Sequence, residues 1–110
     1  MSLELISKIS SQMRKGILEF LILSIISKGE SYASDIIEKL KKNKLIVVEG
    51  TLYPLLSRLK KDGFISYYWI ESNQGPPRKY YKLTPQGTEA LSVMQSVWSN
   101  LEKAAKNLTK

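Results

Sequence analysis

Neither cysteine nor histidine occurs anywhere in this chain of 110 residues. Without cysteine there is no disulfide, no thiolate metal site and no cysteine nucleophile. Without histidine the chain lacks the usual general base, the commonest metal ligand and the usual partner of a serine nucleophile. Acids are sparse too. Two aspartates and eight glutamates are scattered along the sequence, with no carboxylate pair and no phosphate-cradling glycine loop. Neither catalysis nor a cofactor is expected. No apolar run approaches the roughly 18–20 residues that span a bilayer, so no membrane partner is expected. The most apolar stretch, ILEFLILSII over 17–26, is too short and carries Glu19. The N-terminal residues show no basic leader with a small-residue cleavage site, so no signal peptide and a cytoplasmic setting are expected.

What the sequence does have is positive charge, and it is segregated. The formal net charge is +7. Residues 39–82 hold ten basic side chains against three acidic ones, while the rest of the chain has seven of each sign. The entire excess therefore sits in the middle. Solvated surface lysines account for such charge in the plainest reading, but segregation this complete favours a polyanion, and double-stranded DNA is the expected partner.

The hydrophobic pattern predicts mostly helix, in one domain. Residues 3–28 read as a single long helix, amphipathic at first (Leu3, Leu5, Ile6, Ile9, Met13) and apolar on nearly all sides later, with Gly29 suited to its end. A second helix is predicted from about Ser31, as cap, to Lys42. A third begins near Gly50 or Thr51 and ends at Asp62-Gly63, with Pro54 tolerated as a first-turn residue. In it Leu52, Leu55, Leu56 and Leu59 fall on one stripe, which leaves Thr51, Tyr53, Ser57, Arg58, Lys60 and Lys61 on the polar remainder. Hydroxyls and cations on one helix face suit phosphates and base edges.

Two strands at about 64–71 and 78–83 follow, joined by a loop SNQGPP. Thr84-Pro85 then opens a last helix as cap and first residue. Its apolar residues Leu91, Met94, Trp98, Leu101, Ala105 and Leu108 alternate steps of three and four, the a/d spacing of a helix pair. The order of three helices, a hairpin and a long helix is the winged helix-turn-helix plan, mainly α with a small β-hairpin and a C-terminal dimerisation helix. Residues 1–84 are the expected DNA-binding unit, its first helix contributing to the dimer, and 85–110 the dimerisation helix. In this plan the wing is basic to meet phosphates, through Arg78 and Lys79, and its prolines hold the tip in shape.

Three blocks carry a family resemblance: RKGILEFLILSIISKGESYASDI, VVEGTLYPLLSRLKKDGFIS and GPPRKYYKLTPQG. In this order they resemble the PadR-like transcriptional regulators over roughly Arg14 to Gly87. The resemblance implies a winged-helix homodimer that represses transcription from a near-palindromic operator. The short C-terminal region is similar to the small subgroup that includes the lactococcal multidrug-responsive regulator. That similarity implies a tryptophan lining a pore at the dimer centre, with Trp98 at the matching position. Two features depart from the pattern. Ala33-Ser34 stand where the family usually has Gly-Tyr, and the wing tip reads Gly-Pro-Pro where that regulator has a more glycine-rich turn.

Each site residue has a plainer reading beside the functional one. Thr51 can be only a cap and Tyr53 only packing; Arg78 and Lys79 can be solvated edge charges. Tyr80 and Tyr81 point to opposite faces, so at least one belongs to the core, and Trp69 belongs to wing or core packing. Trp98 at an a/d position can simply fill a dimer interface. With Met94 and Glu102 it can instead hold a flat or cationic compound by stacking and cation–π attraction. A sensing or sequestering dimer with a minor DNA role is therefore the alternative to a DNA-binding regulator.

Overall fold

A computed structural model of the chain describes residues 2–110. Five helices and three strands follow in the order α1 (Leu3–Arg14), α2 (Leu18–Ser27), β1 (Ser31–Tyr32), α3 (Ala33–Lys42), α4 (Glu49–Lys61), β2 (Ile65–Ser72), β3 (Gly75–Leu83) and α5 (Pro85–Leu108). The predicted class, mainly helical with a small sheet and a long last helix, is what the chain adopts. Several local expectations are corrected.

The single helix expected over 3–28 is two helices. The chain leaves α1 at Lys15-Gly16-Ile17 through a tight turn, in which Ile17 N–H donates to Arg14 C=O at 2.9 Å. The two halves have different surroundings, which is why they separate. α2 buries Leu18, Ile22, Leu23 and Ile26 in the core, whereas α1 buries nothing.

Ser31 does not cap the second helix. It is buried in β1, pairs with Tyr81, and donates its hydroxyl to Gly29 C=O at 2.9 Å. The helix starts two residues later, where Asp35 Oδ2 accepts from Tyr32 N–H at 2.9 Å. Two residues are too short a run for an alternating pattern to reveal, so β1 is a strand that periodicity misses.

α4 starts at Glu49 rather than Gly50 or Thr51, which places Pro54 beyond the first turn. The C=O of Gly50 thereby loses its helical donor; Gly50 is exposed, so water can replace it. The expected stop at Asp62-Gly63 is a Schellman turn. Gly63 has φ +82°, and Phe64 N–H reaches back to Leu59 C=O at 3.0 Å.

The hairpin differs most. β2 and β3 run to a short turn at Asn73-Gln74, and Pro76 and Pro77 lie inside β3 rather than in a loop. The register pairs Ile70 with Arg78 and Ser72 with Gly75, so one residue of β2 faces two of β3. The two prolines occupy that bulge. A residue without an N–H cannot join a ladder, and a bulge is where a strand tolerates it.

The sheet order is β1-β3-β2, all antiparallel. Its base (Ile65, Tyr81) closes over the core formed by Ile22, Leu23, Ile36, Leu40, Leu52, Leu56, Leu59 and Leu91. Thr84 opens α5 as expected, its Oγ1 accepting from Gly87 N–H at 2.9 Å and donating to Gly63 C=O at 2.6 Å. The buried stripe of α5 ends early, with Leu91 buried and Met94 half-buried; Leu101 and Leu108 are exposed.

Candidate nucleic-acid interface

α4 carries its predicted residues on three sides of the helix. Leu52, Leu56 and Leu59 face the core. Opposite them, Gly50, Ser57 and Lys61 form an exposed crest. Tyr53 and Lys60 flank the crest toward the sheet, where Lys60 Nζ lies 5.3 Å over the Tyr67 ring. Thr51 and Arg58 flank it toward α2, and Arg58 Nη1 lies 3.4 Å from Glu19 Oε1. Thr51 is not the cap: Val48 holds that position and offers no side-chain acceptor. Thr51 and Leu52 N–H both donate to Val48 C=O at 3.0 Å, and no side chain caps this end, where the helix dipole favours an anion and Glu49 already stands.

The wing alternates, so Arg78 and Lys79 leave β3 on opposite faces. On one face Tyr67 and Tyr81 pair with ring centroids 5.9 Å apart, and Trp69 meets Tyr67 edge-on at 6.0 Å. Lys79 Nζ lies 4.5 Å over Tyr67 and 5.4 Å over Trp69. On the other face Tyr32, Tyr80 and Tyr68 form a run with centroid spacings of 4.7 and 5.6 Å. Arg78 lies 3.9 Å over Tyr32 and donates to Ser34 Oγ, while Lys82 lies 5.7 Å over Tyr68. Each wing cation thus rides an aromatic ring, which holds a flexible side chain extended.

Arg78 and Lys79 meet again in a cleft of about 310 Å³ between wing and helices, lined also by Tyr32, Tyr53, Trp69 and Tyr81, with Glu49 as its one acid. Of the tyrosine pair, Tyr81 is the core member. Its burial, and then Tyr53 and Tyr67 nearby, push its hydroxyl pKa up. Desolvation raises Tyr68 as well, followed by its hydrogen bond to Glu30 Oε2 at 3.1 Å. Trp69 belongs to the wing and is 58 % exposed. Sequence reasoning left it, Tyr67 and Ser34 out of the site. The signal was the alternation in YYWI, whose phase only the pairing with β3 fixes.

The expected ligand residues are not all in one place. Trp98 is 38 % exposed and tilts 36° against Phe20 at 6.4 Å. With Met94 it lines a cavity of about 170 Å³ between α2 and α5. With Glu102 it lines an adjoining groove of about 1130 Å³ between α1 and α5, which shares Ile17, Trp98 and Leu101 with that cavity. Among the described residues, no group of acids is placed to hold a metal ion, and no helix is long and apolar enough to cross a membrane.

A buried three-leucine helix with a cationic crest, beside a basic aromatic hairpin, defines a winged-helix DNA-binding protein. The chain belongs to the PadR-like family of transcriptional regulators, whose family model matches residues 22–93. It is similar to the PadR-like transcription factor of Bacteroides fragilis, with 54 % identity and a TM-score of 0.79 over 92 % of this chain and 98 % of that one. Similarity to a PadR-like regulator of Bacillus cereus is 40 % with a TM-score of 0.81, over 91 % and 98 %. An Eggerthella lenta PadR family regulator gives 27 % and 0.88 over 97 % and 94 %. These relatives are transcriptional regulators, not enzymes.

Proposed function

We propose that the protein is a homodimeric repressor whose two α4 helices read half-sites of a near-palindromic operator, about one helical turn (~34 Å) apart. The observation that carries this reading is the continuity of the cationic surface. Ser57 and Lys61 on the crest, Tyr53 and Lys60 on its sheet-side flank, and Lys79 in the adjoining cleft form one surface from helix to wing. Lys61 and Lys60 meet phosphates; Ser57 and Tyr53 are placed for base edges; Thr51 and Arg58 guard the α2 side. Arg78, held by Tyr32 and Ser34, fixes the wing against the start of α3 and offers its free donors to the backbone. The apolar faces that α1 and α5 expose support the dimer.

The test is a mobility shift on DNA upstream of the protein's own gene, at about 50 and 200 mM salt. A discrete complex that specific competitor removes and random DNA does not, and that weakens steeply with salt, is the expected result. Absence of any complex at low salt, from folded dimer, overturns it. A second reading, a dimer that senses or sequesters flat or cationic compounds, is favoured by the exposed Trp98 ring and the apolar groove beside it. Ligand response also extends the repressor reading toward the multidrug-responsive subgroup. Trp98→Ala separates the roles: it abolishes compound binding and leaves the DNA shift intact.

A further inference from the structure

We propose that Glu49, the first residue of α4, is a specificity-determining residue that accepts a hydrogen bond from a cytosine amino group in each half-site. The inference deepens the repressor reading and rests on it. Glu49 is exposed and lines the cleft of about 310 Å³ together with Tyr53, Arg78 and Lys79. It is the one acid there, and a cation of the same cleft is its natural partner. Yet the ion pairs among the described residues, Lys42 with Glu38 and Arg58 with Glu19, leave it out. The cleft cations are engaged elsewhere. Arg78 lies over Tyr32 and donates to Ser34 Oγ, while Lys79 lies over Tyr67 and Trp69. The carboxylate is therefore open to a donor from outside the chain.

The kind of donor follows from charge. Every phosphate repels a carboxylate, so Glu49 weakens the hold of a cationic surface on the DNA backbone. At a base edge the same group acts favourably, and the N-terminal residues of a recognition helix are the ones that reach base edges. Two bases offer an amino group in the major groove. Adenine N6 stands beside the acceptor N7, which turns a carboxylate away. Cytosine N4 has no acceptor next to it on its own base, and a carboxylate accepts from it. Tyr53, one turn on, lines the same cleft, so the two side chains approach the duplex together. An acid in the first turn of a helix also complements the dipole, but that role concerns stability and carries no base preference.

The full chain and its Glu49→Gln and Glu49→Ala variants select binding sites from a pool of randomised double-stranded DNA, and the recovered sites are sequenced. The wild type is expected to require cytosine at one position of each half-site. Changing that C·G pair should cost it about tenfold in affinity, the scale of one base contact. Glu49→Gln should shift the preference at that position to adenine, whose N6 and N7 suit an amide. Glu49→Ala should lose the preference there and keep it at every other position. Both variants should bind random DNA more tightly, because a repulsive charge is gone. The same preferences in all three proteins, with or without a uniform change in affinity, overturn the proposal and leave the repressor reading standing. A wild type that recovers no common sequence overturns both.

Discussion

Gly87 is the most closely packed of the six glycines. It is buried in the first turn of α5, and a Cβ there would overlap the carbonyl oxygen of Phe64 and press on Leu83. The obstacle is backbone, pinned by Thr84 N–H to Phe64 C=O at 3.1 Å, so it cannot move aside cheaply. Gly87→Ala is expected to destabilise the protein by about 3 kcal/mol, the upper part of the overpacking range. Gly29→Ala, with open space around the position, should change stability by less than about 0.5 kcal/mol. Urea unfolding of both variants checks the pair. In the sequence Gly87 is one more glycine after a proline, because close approach of two distant segments leaves no local mark. Tyr81 gives the pH counterpart. Burial raises its folded pKa above the ordinary value of 10.0, so the folded state keeps its phenolic proton longer than the unfolded chain. Its stabilising effect is complete below pH 10 and declines as pH rises through the folded value. Unfolding midpoints measured across pH 9–11 should fall at the alkaline end, and fall less in Tyr81→Phe.

At the scale of elements, the wing shows what periodicity can and cannot reveal. Aromatic and β-branched residues made both strands legible, and the leucine stripe of α4 fixed its buried face from spacing alone. The prolines were legible as rigid residues but not as strand residues, because proline reads locally as a loop and only the register with β2 creates the bulge that accepts it. The break at Gly16 was equally hidden: apolar residues continue through it, and what changes is which body of protein they meet. The bulge predicts a specific effect. Replacing Pro76 and Pro77 by alanine should lower stability by no more than about 1 kcal/mol, since the gain lies mainly in restricting the unfolded chain. The tip should loosen, however, with faster amide exchange over 71–78. DNA affinity should drop severalfold if the wing meets the backbone as a rigid strut. Unchanged exchange would mean that the ring-and-cation ladder of Tyr67, Lys79 and Trp69, rather than the prolines, holds the tip.

The whole molecule is elongated, 54 × 35 × 22 Å, and its core spans only Leu18 to Leu91. Outside that span lie α1 and the distal part of α5, both with large apolar side chains in solvent; Leu3 and Leu108 are each 85 % exposed. Unpartnered apolar faces of this extent are what the proposed dimer would cover, and the a/d spacing of α5 leads to the same proposal. From the sequence α1 is expected to share in that dimer as well, but as the start of one long helix rather than as a helix of its own. Deleting residues 1–14 distinguishes what each part does. No core side chain is lost, so the truncated chain should still unfold cooperatively, its midpoint lowered only by the stabilisation that dimerisation adds. Sedimentation should nevertheless find monomer where the full chain is dimer. A monomer engages one half-site at a time and forfeits the effective concentration of the second, so operator affinity should fall by at least about a hundredfold. Its salt dependence should also become shallower, because fewer phosphates are neutralised per binding event. Were the truncated chain still dimeric, α5 alone would hold the two copies together, and the apolar face of α1 would have to serve the groove beside Trp98 instead.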